Sequence, residues 1–263
     1  MDLMDIVKHN SAAWDQEANA GGEWSIPMSP ERIEQARRGN LGIRLSPNKP
    51  VPRDWFPPDL KGLDILCLAS GGGQQAPLLA AAGANVTCFD NSAEQLARDK
   101  FVAEREGLNI VLEQGDAADL SRFSDASFDL IYHPVSNLFF PDLEPVWRAC
   151  FRVLRSGGRL LAGFCNPVMF MFDKAANHDR IGILEVKHSL PFSDIGSLSK
   201  EKVQEIIDKN EPLEFGHSLE QQIGGQIDAG FSIAGFYEDY WSDEAIELNK
   251  YMPVFIATKA LKP

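Results

Sequence analysis

The chain has 263 residues, 44% of them hydrophobic and 24% charged, with a formal net charge of −13. That length suits one large α/β domain, or one domain carrying an insertion, with a substantial buried core. The negative charge works against nucleic acid and anionic membranes as partners, and no stretch approaches the roughly 20 apolar residues of a membrane helix.

The opening residues MDLMDIVKHN contain two aspartates and no apolar run, so they do not read as a signal peptide. The expected location is cytoplasmic. Residues 1–60 read as irregular and rich in Pro, Gly and Trp. One short helix is expected over about 30–38, because Ser29, Pro30 and Glu31 supply an N-cap, a first-turn proline and an acidic first turn. This segment has no core of its own and is expected to cover a cleft in the rest of the protein. Trp14, Trp24 and Trp55 are candidates for capping that cleft, or for plain packing.

From Leu63 the pattern becomes regular. DILCLA, from Asp64, is a short apolar run followed by glycines, hence a strand buried on both faces. GQQAPLLAAAG reads as a helix ended by Gly83. NVTCFD is a second strand, and Ser92 caps a helix running to about Gly107. NIVLEQGD and FDLIYH are the third and fourth strands. LEPVWRACFRVLRSGG is a helix with arginines near its end, and RLLAGF a fifth strand. Alternation at these spacings implies right-handed βαβ crossovers and a parallel, doubly wound sheet.

After Asn166 the rhythm stops. Residues 167–216 hold an apolar PVMFMFD cluster, a short alternating run and a polar helix near Lys200 to Lys209, and are expected to form an inserted lid. The MFMF cluster suits either the lid's core or the wall of an apolar substrate pocket. SLEQQIGGQIDAGF reads as a helix, although Gly224 and Gly225 in its middle work against it. Two strands, FSIAGFYED and YMPVFIATKAL, close the chain and are near enough in sequence to pair antiparallel.

Cys67, Cys88, Cys150 and Cys165 form no C-x-x-C pair and sit in apolar surroundings, so buried reduced thiols are expected. His178, His188 and His217 are too scattered to suggest a metal site.

The chemistry concentrates after the first strand. Gly71, Gly73 and Ala76 satisfy a G-x-G-x-x-G/A spacing, and glycine is needed where backbone must approach a ligand. Asp90 ends the second strand, where a carboxylate accepts hydrogen bonds from ribose hydroxyls. Both features suit NAD and S-adenosylmethionine equally. No tyrosine is followed four residues later by lysine, so the short-chain dehydrogenase acid/base pair is missing, and no P-loop is present.

Four stations in order carry a resemblance: LCLASGGG, the acid of TCFDNS, QGDAADL at the third strand's end, and RVLRSGGRLL before the fifth strand. Together with the closing strand pair they resemble the class I S-adenosylmethionine-dependent methyltransferase family, over about Leu63 to Ala260. The ASGGGQQ loop with DNSAEQL looks most like a bacterial-type subfamily acting on small molecules. The resemblance implies an α/β, Rossmann-like, doubly wound and mostly parallel seven-stranded sheet with an antiparallel last strand. It implies a cover over residues 1–60 and a methyltransferase domain over 61–263 with the lid at 167–216. It also implies S-adenosyl-L-methionine as cofactor and S-adenosyl-L-homocysteine as product.

On that resemblance Ala69, Ser70, Gly71, Gly73 and Gln74 line the methionine and ribose end, Asp90 takes the ribose hydroxyls, and Asn91 and Gln95 are further cofactor-binding residues. Gly115, Asp116 and Ala117 stand where the family reads adenine. His133 and Pro134 end the fourth strand on the transfer side, with Ser136 and Asn137 as further polar groups. His133 is the one catalytic candidate, as a general base; a cofactor-lining or purely structural histidine fits the same place. His133-Pro134-Val135-Ser136 lacks the aromatic residue of the [DN]-P-P-[YFW] pattern of DNA amino-methylases, which again disfavours nucleic acid. The expected partner is a small-molecule substrate, handled by a monomer or homodimer without a metal.

The chain departs from the family's D-x-G-x-G-x-G pattern at Cys67 and Ala69, where an acid and a glycine are usual. Two other readings stay open at this stage: a non-catalytic protein of the same fold that binds S-adenosylmethionine or S-adenosylhomocysteine, and an NAD(P)-dependent oxidoreductase.

Overall fold

The computed structural model describes residues 3–173, 182–241 and 246–263; His178 lies outside them. Nine strands form two sheets among the described residues. In the large sheet β1 (Asp64–Leu68), β2 (Asn85–Asp90), β3 (Ile110–Gln114), β4 (Phe128–His133), β5 (Leu154–Cys165), β8 (Ser232–Asp239) and β9 (Phe255–Leu261) run in the order β3-β2-β1-β4-β5-β9-β8. The first five pair parallel, and β9 runs antiparallel to both neighbours. The chain order reverses between β1 and β4. In a doubly wound sheet, the carboxyl ends of the strands at such a reversal form the ligand crevice.

Strands β1 and β4 are buried almost throughout, as expected of a parallel sheet covered on both faces. On one face lie α3 (Gln75–Ala81) and α4 (Ala93–Glu106), joined by α2 (Pro30–Arg37) and by Ile43, Leu45, Trp55 and Phe56. On the other lies α5 (Glu144–Val153), whose Val146, Trp147, Cys150 and Val153 form one inward stripe. The segment before β1 therefore completes the core of the first face.

The structure departs from the sequence reading in four places. Residues 1–60 are not uniformly irregular, because α1 spans Leu3–Ala20. Its inward face consists of Ile6, Asn10, Ala13 and Ala18, so two alanines and an asparagine stand where larger apolar residues would announce a helix. Asn10 is satisfied by donating to the carbonyls of Phe139 and Leu213. Second, α5 stops at Val153 and β5 begins at Leu154, before the glycines rather than after them. Gly157 takes a φ of +77° there, and its N–H bonds the Lys262 carbonyl. Third, the helix expected around Gly224 and Gly225 is a π-helical turn, Glu220–Gly224, followed by one short α-helix, Gly225–Asp228. Fourth, β6 (Phe192–Ser193) and β7 (Phe215–Gly216) form a second, two-stranded sheet within the inserted region.

Among the described residues no helix is long and apolar enough to cross a membrane. All four cysteines are buried and none is in a disulfide.

Candidate active site

At the carboxyl ends of β1, β2 and β4 a cavity of about 1370 Å3 opens, larger than the roughly 300–1,000 Å3 that one small ligand needs. It is bounded on one side by the turn after β1. Ala69 holds a φ of +46°, a left-handed conformation that accounts for glycine being usual at this place. A Cβ on Gly71 would lie 2.7 Å from the Gln95 Cβ and 3.1 Å from Asp90 Oδ2. Gly72 donates its N–H to the Gln95 carbonyl at 3.0 Å, which fixes the turn against the first part of α4.

Asp90 stands beside that turn. Its Oδ2 accepts the Gly71 N–H at 2.9 Å and its Oδ1 accepts the Ser92 N–H at 3.0 Å. Burial raises its pKa above the usual carboxylate value, while these backbone donors oppose the shift. Each oxygen keeps a further lone pair for a ligand hydroxyl. Two buried groups on the same wall lack partners: Ser70 Oγ and Gln95 Oε1. An orphaned hydroxyl and an orphaned amide oxygen beside a carboxylate suit a ligand with hydroxyl and amino groups. These residues therefore fit the ribose and amino-acid parts of S-adenosylmethionine.

The structure divides the residues singled out in the sequence. Ala69, Ser70, Gly71, Gln74, Asp90, Asn91, Gln95 and Pro134 line the cavity. Gly73, Gly115, Asp116, Ala117 and His133 lie outside its lining. Gly73 packs on α4, where a Cβ would meet the Arg98 carbonyl oxygen at 2.8 Å. Gly115 gives its N–H to the Asp90 carbonyl, and a Cβ there would strike the Phe89 ring at 2.5 Å. The Asp116 carboxylate accepts the Ala118 N–H in a local turn, and Ala117 is buried in the second face's core. These three residues stand just beyond the Asp90 edge of the cavity.

His133 is fully buried. Its Nδ1 lies 2.9 Å from the Leu68 carbonyl and its Nε2 2.6 Å from Asn137 Oδ1, and its ring stacks on Phe140. Asn137 continues the chain to Gln222 at 2.7 Å. Burial pushes the His133 pKa below its ordinary value, and the contacts with Leu68 and Asn137 oppose that shift. The geometry makes it the support that ties β4 to β1 behind the cavity wall.

Several contributors to the site are not legible in the sequence. Asp15 of α1 accepts the Ser92 hydroxyl at 2.6 Å and the Glu94 N–H at 3.0 Å, an acid at the positive end of α4. Gln95 donates to the Ser25 hydroxyl, and Gln74 to the carbonyls of Glu23 and Ile26. Asp239 of β8 holds the loop at residues 46–49 by accepting from Ser46, Asn48 and Lys49. Trp14 and Trp24 line the cavity, whereas Trp55 packs on Tyr237 in the core. The far side has an apolar wall, Leu138, Met169, Phe170, Phe172, Phe192 and Phe255, with charged groups such as Asp173, Lys202, Glu205 and Lys209 also on the lining. His188 is on this wall against Phe192, while His217 is buried against the Phe140 carbonyl. Among the described residues no group of three or more His, Cys, Asp or Glu side chains converges as a metal site would require.

Comparison with known proteins fits this geometry. Residues 66–162 match the family model described as a methyltransferase domain. The Bacillus subtilis (strain 168) protein named "Uncharacterized methyltransferase YbaJ" is 52% identical over 257 residues, 98% of each chain. The sterol 24-C-methyltransferase erg6 of Aspergillus fumigatus is 37% identical over 101 residues, covering 37% of this chain and 26% of that one. A solved S-adenosylmethionine-dependent methyltransferase from Mesorhizobium loti superposes with a TM-score of 0.59 at 20% identity, over 80% of this chain and 95% of its own. A match across nearly the whole length to a methyltransferase, on a sheet of this order, sets aside the dinucleotide and non-catalytic readings: the chain belongs to the class I S-adenosylmethionine-dependent methyltransferases and is an enzyme of that family.

Proposed function

We propose that this enzyme methylates a small, predominantly apolar molecule held against the Met169–Phe172 wall of the cavity. The carrying observation is the two-sided character of one continuous space of about 1370 Å3. One side presents Ser70, Gly71, Asp90 and Gln95; the other presents Leu138, Met169, Phe170, Phe172 and Phe192. The volume leaves room for an acceptor beside the cofactor.

When bound, S-adenosylmethionine supplies an already activated methyl group. The protein's part is then positioning and exclusion of water. Asp90 accepts the ribose hydroxyls, Ser70 and Gln95 offer their unpaired atoms to the amino-acid end, and the apolar wall orients the acceptor. His133 carries no proton for the acceptor on this reading, because both ring nitrogens face protein partners. Gly115, Asp116 and Ala117 remain our assignment for the adenine edge, beside Asp90. The proposal includes a cytoplasmic location, which suits four cysteines without a disulfide. It also includes action as a monomer or homodimer, and no nucleic-acid substrate given the net charge of −13.

Calorimetry with S-adenosylmethionine, S-adenosylhomocysteine and NADH in parallel is the first test. The first two are expected to bind and NADH to fail. Production of S-adenosylhomocysteine is then followed with acceptors graded from polar to apolar. Turnover confined to strongly polar or charged acceptors would overturn the acceptor assignment.

A further inference from the structure

Behind the glycine turn lies a buried acid that the cofactor assignment does not use. Asp99 is on α4 and is fully buried. Its carboxyl faces the backbone N–H groups of Gly73 and Gly72 and the Cys88 thiol. None of these contacts reaches full hydrogen-bond geometry, so both carboxyl oxygens are left without a close partner. Cys88 pairs in register with Cys67 on β1, and Asp99 acts on both thiols through its charge. Cys67 is the position at which the family's pattern places an acid.

We infer that Asp99 is a positioning residue for the cofactor site: α4 delivers, from the opposite side, the acid that β1 lacks, and this acid steadies the glycine turn at Gly73, whose N–H it faces. The inference rests on the cofactor reading above.

Three features support it. The turn is seated on this part of α4, since Gly72 bonds the Gln95 carbonyl and Gly73 touches the Arg98 carbonyl. A carboxylate at Cys67 would repel Asp99 at low dielectric, so the cysteine and the displaced acid form a matched pair. Finally, an unpartnered buried carboxyl lowers stability, and such groups are kept where function needs them.

Burial drives the Asp99 pKa up to about 8. The Gly73 and Gly72 N–H groups and the Cys88 thiol pull it down, and the charge of Asp90 raises it further. The other titratable group facing it is the Cys67 thiol of β1. Arg98, next along α4, sends its guanidinium to the Ala18 carbonyl. The ionised carboxyl is the form that the Gly73 N–H favours, so the grip on the turn strengthens as pH passes about 8. Stability moves the other way. The folded pKa of about 8 exceeds the unfolded value of about 3.9, so between these limits the folded state binds the extra proton and loses stability as pH rises.

The test is calorimetry with S-adenosylmethionine together with thermal unfolding, from pH 7 to pH 9. It compares the parent, Asp99→Asn, and the double variant Cys67→Asp/Asp99→Asn. Asp99→Asn is expected to bind several-fold more weakly at the alkaline end, up to about tenfold, the limit set by one hydrogen bond to a charged group. Its Tm should equal or exceed the parent's, most clearly at the alkaline end. The parent-to-variant affinity ratio should grow with pH, and the ligand's own titration cancels in that ratio. The double variant should recover affinity. Asp99→Ser provides the same ratio should the amide variant fail to fold. Equal affinity across the pH range, or an affinity loss matched by a fall in Tm, overturns the inference. A parent that does not bind S-adenosylmethionine instead sinks the cofactor reading beneath it.

Discussion

The two sides of the cavity are built by different means. The cofactor side is a backbone construction: the turn after β1, the end of β2 and the start of α4 lie within Ala69–Gln95 and are joined by hydrogen bonds of about 3 Å, such as Gly71 to Asp90 and Gly72 to Gln95. The acceptor side is a side-chain construction. Leu138, Phe172, Phe192 and Phe255 reach it from separate stretches of chain and meet through apolar packing. A backbone site demands particular residue types at particular spacings. A packed wall demands only apolar bulk, so it is free to change with the acceptor while the cofactor stays the same.

The sharpest way to break this comparison is Asp90→Ala. The change removes the acceptor of the Gly71 and Ser92 N–H groups and the carboxylate assigned to the ribose hydroxyls. Two hydrogen bonds to one charge predict at least about a hundredfold loss of S-adenosylmethionine affinity by calorimetry. Acceptor binding should change far less. Affinity equal to the parent's would move the ribose elsewhere and leave Asp90 as a brace for the turn.

The same contrast explains what was legible in the sequence. Glycine spacing and a strand-end acid are short-range signals, so the turn, Asp90 and the succession of strands along the chain through β5 could be read from residue types alone. The cover and the Met169–Phe172 wall were legible only in outline: the helix α1 and the residues that complete the wall from elsewhere in the chain were not. The inward face of α1 uses Asn10, Ala13 and Ala18, which carry little apolar signal. Asp15, Asp99 and Asp239 act through partners well separated in sequence, such as Ser92, Gly73 and Ser46. His133 shows the opposite limit. Its position at the end of β4 was plain, but whether it faces ligand or protein depends on Leu68 and Asn137 closing around it.

A smaller effect is expected on the acceptor side. Phe172 lines the cavity while only partly buried in the apolar cluster beneath it. Phe172→Ala should raise the acceptor KM by about tenfold, as expected for losing much of a ring's burial. The Kd for S-adenosylmethionine should stay within about twofold if the two sides are independent, since additive behaviour is the rule for separated sites. A parallel loss of cofactor affinity would show that the two walls act as one unit.

The smallest catalytic effect is expected at His133, which lies behind the cavity wall. A lost general base costs about 10²–10⁴ in rate. A buried support costs stability instead, about 1–3 kcal/mol where a buried polar partner is left unmade. His133→Gln should therefore leave kcat near neutral pH within a few-fold while lowering Tm. The pH dependence separates the roles further. Burial holds the folded pKa of His133 below the ordinary value. On acidification through about 6.5 the unfolded chain takes up a proton that the folded chain refuses, and stability falls as pH falls. Replacing His133 removes that term, so the variant's Tm should decline less steeply between pH 7 and pH 5 than the parent's. His217, whose pKa burial also lowers, keeps part of the slope in both proteins. A drop in kcat of a hundredfold or more, with Tm unchanged, would return His133 to the chemistry and place proton transfer at the seam between the cofactor turn and the acceptor wall.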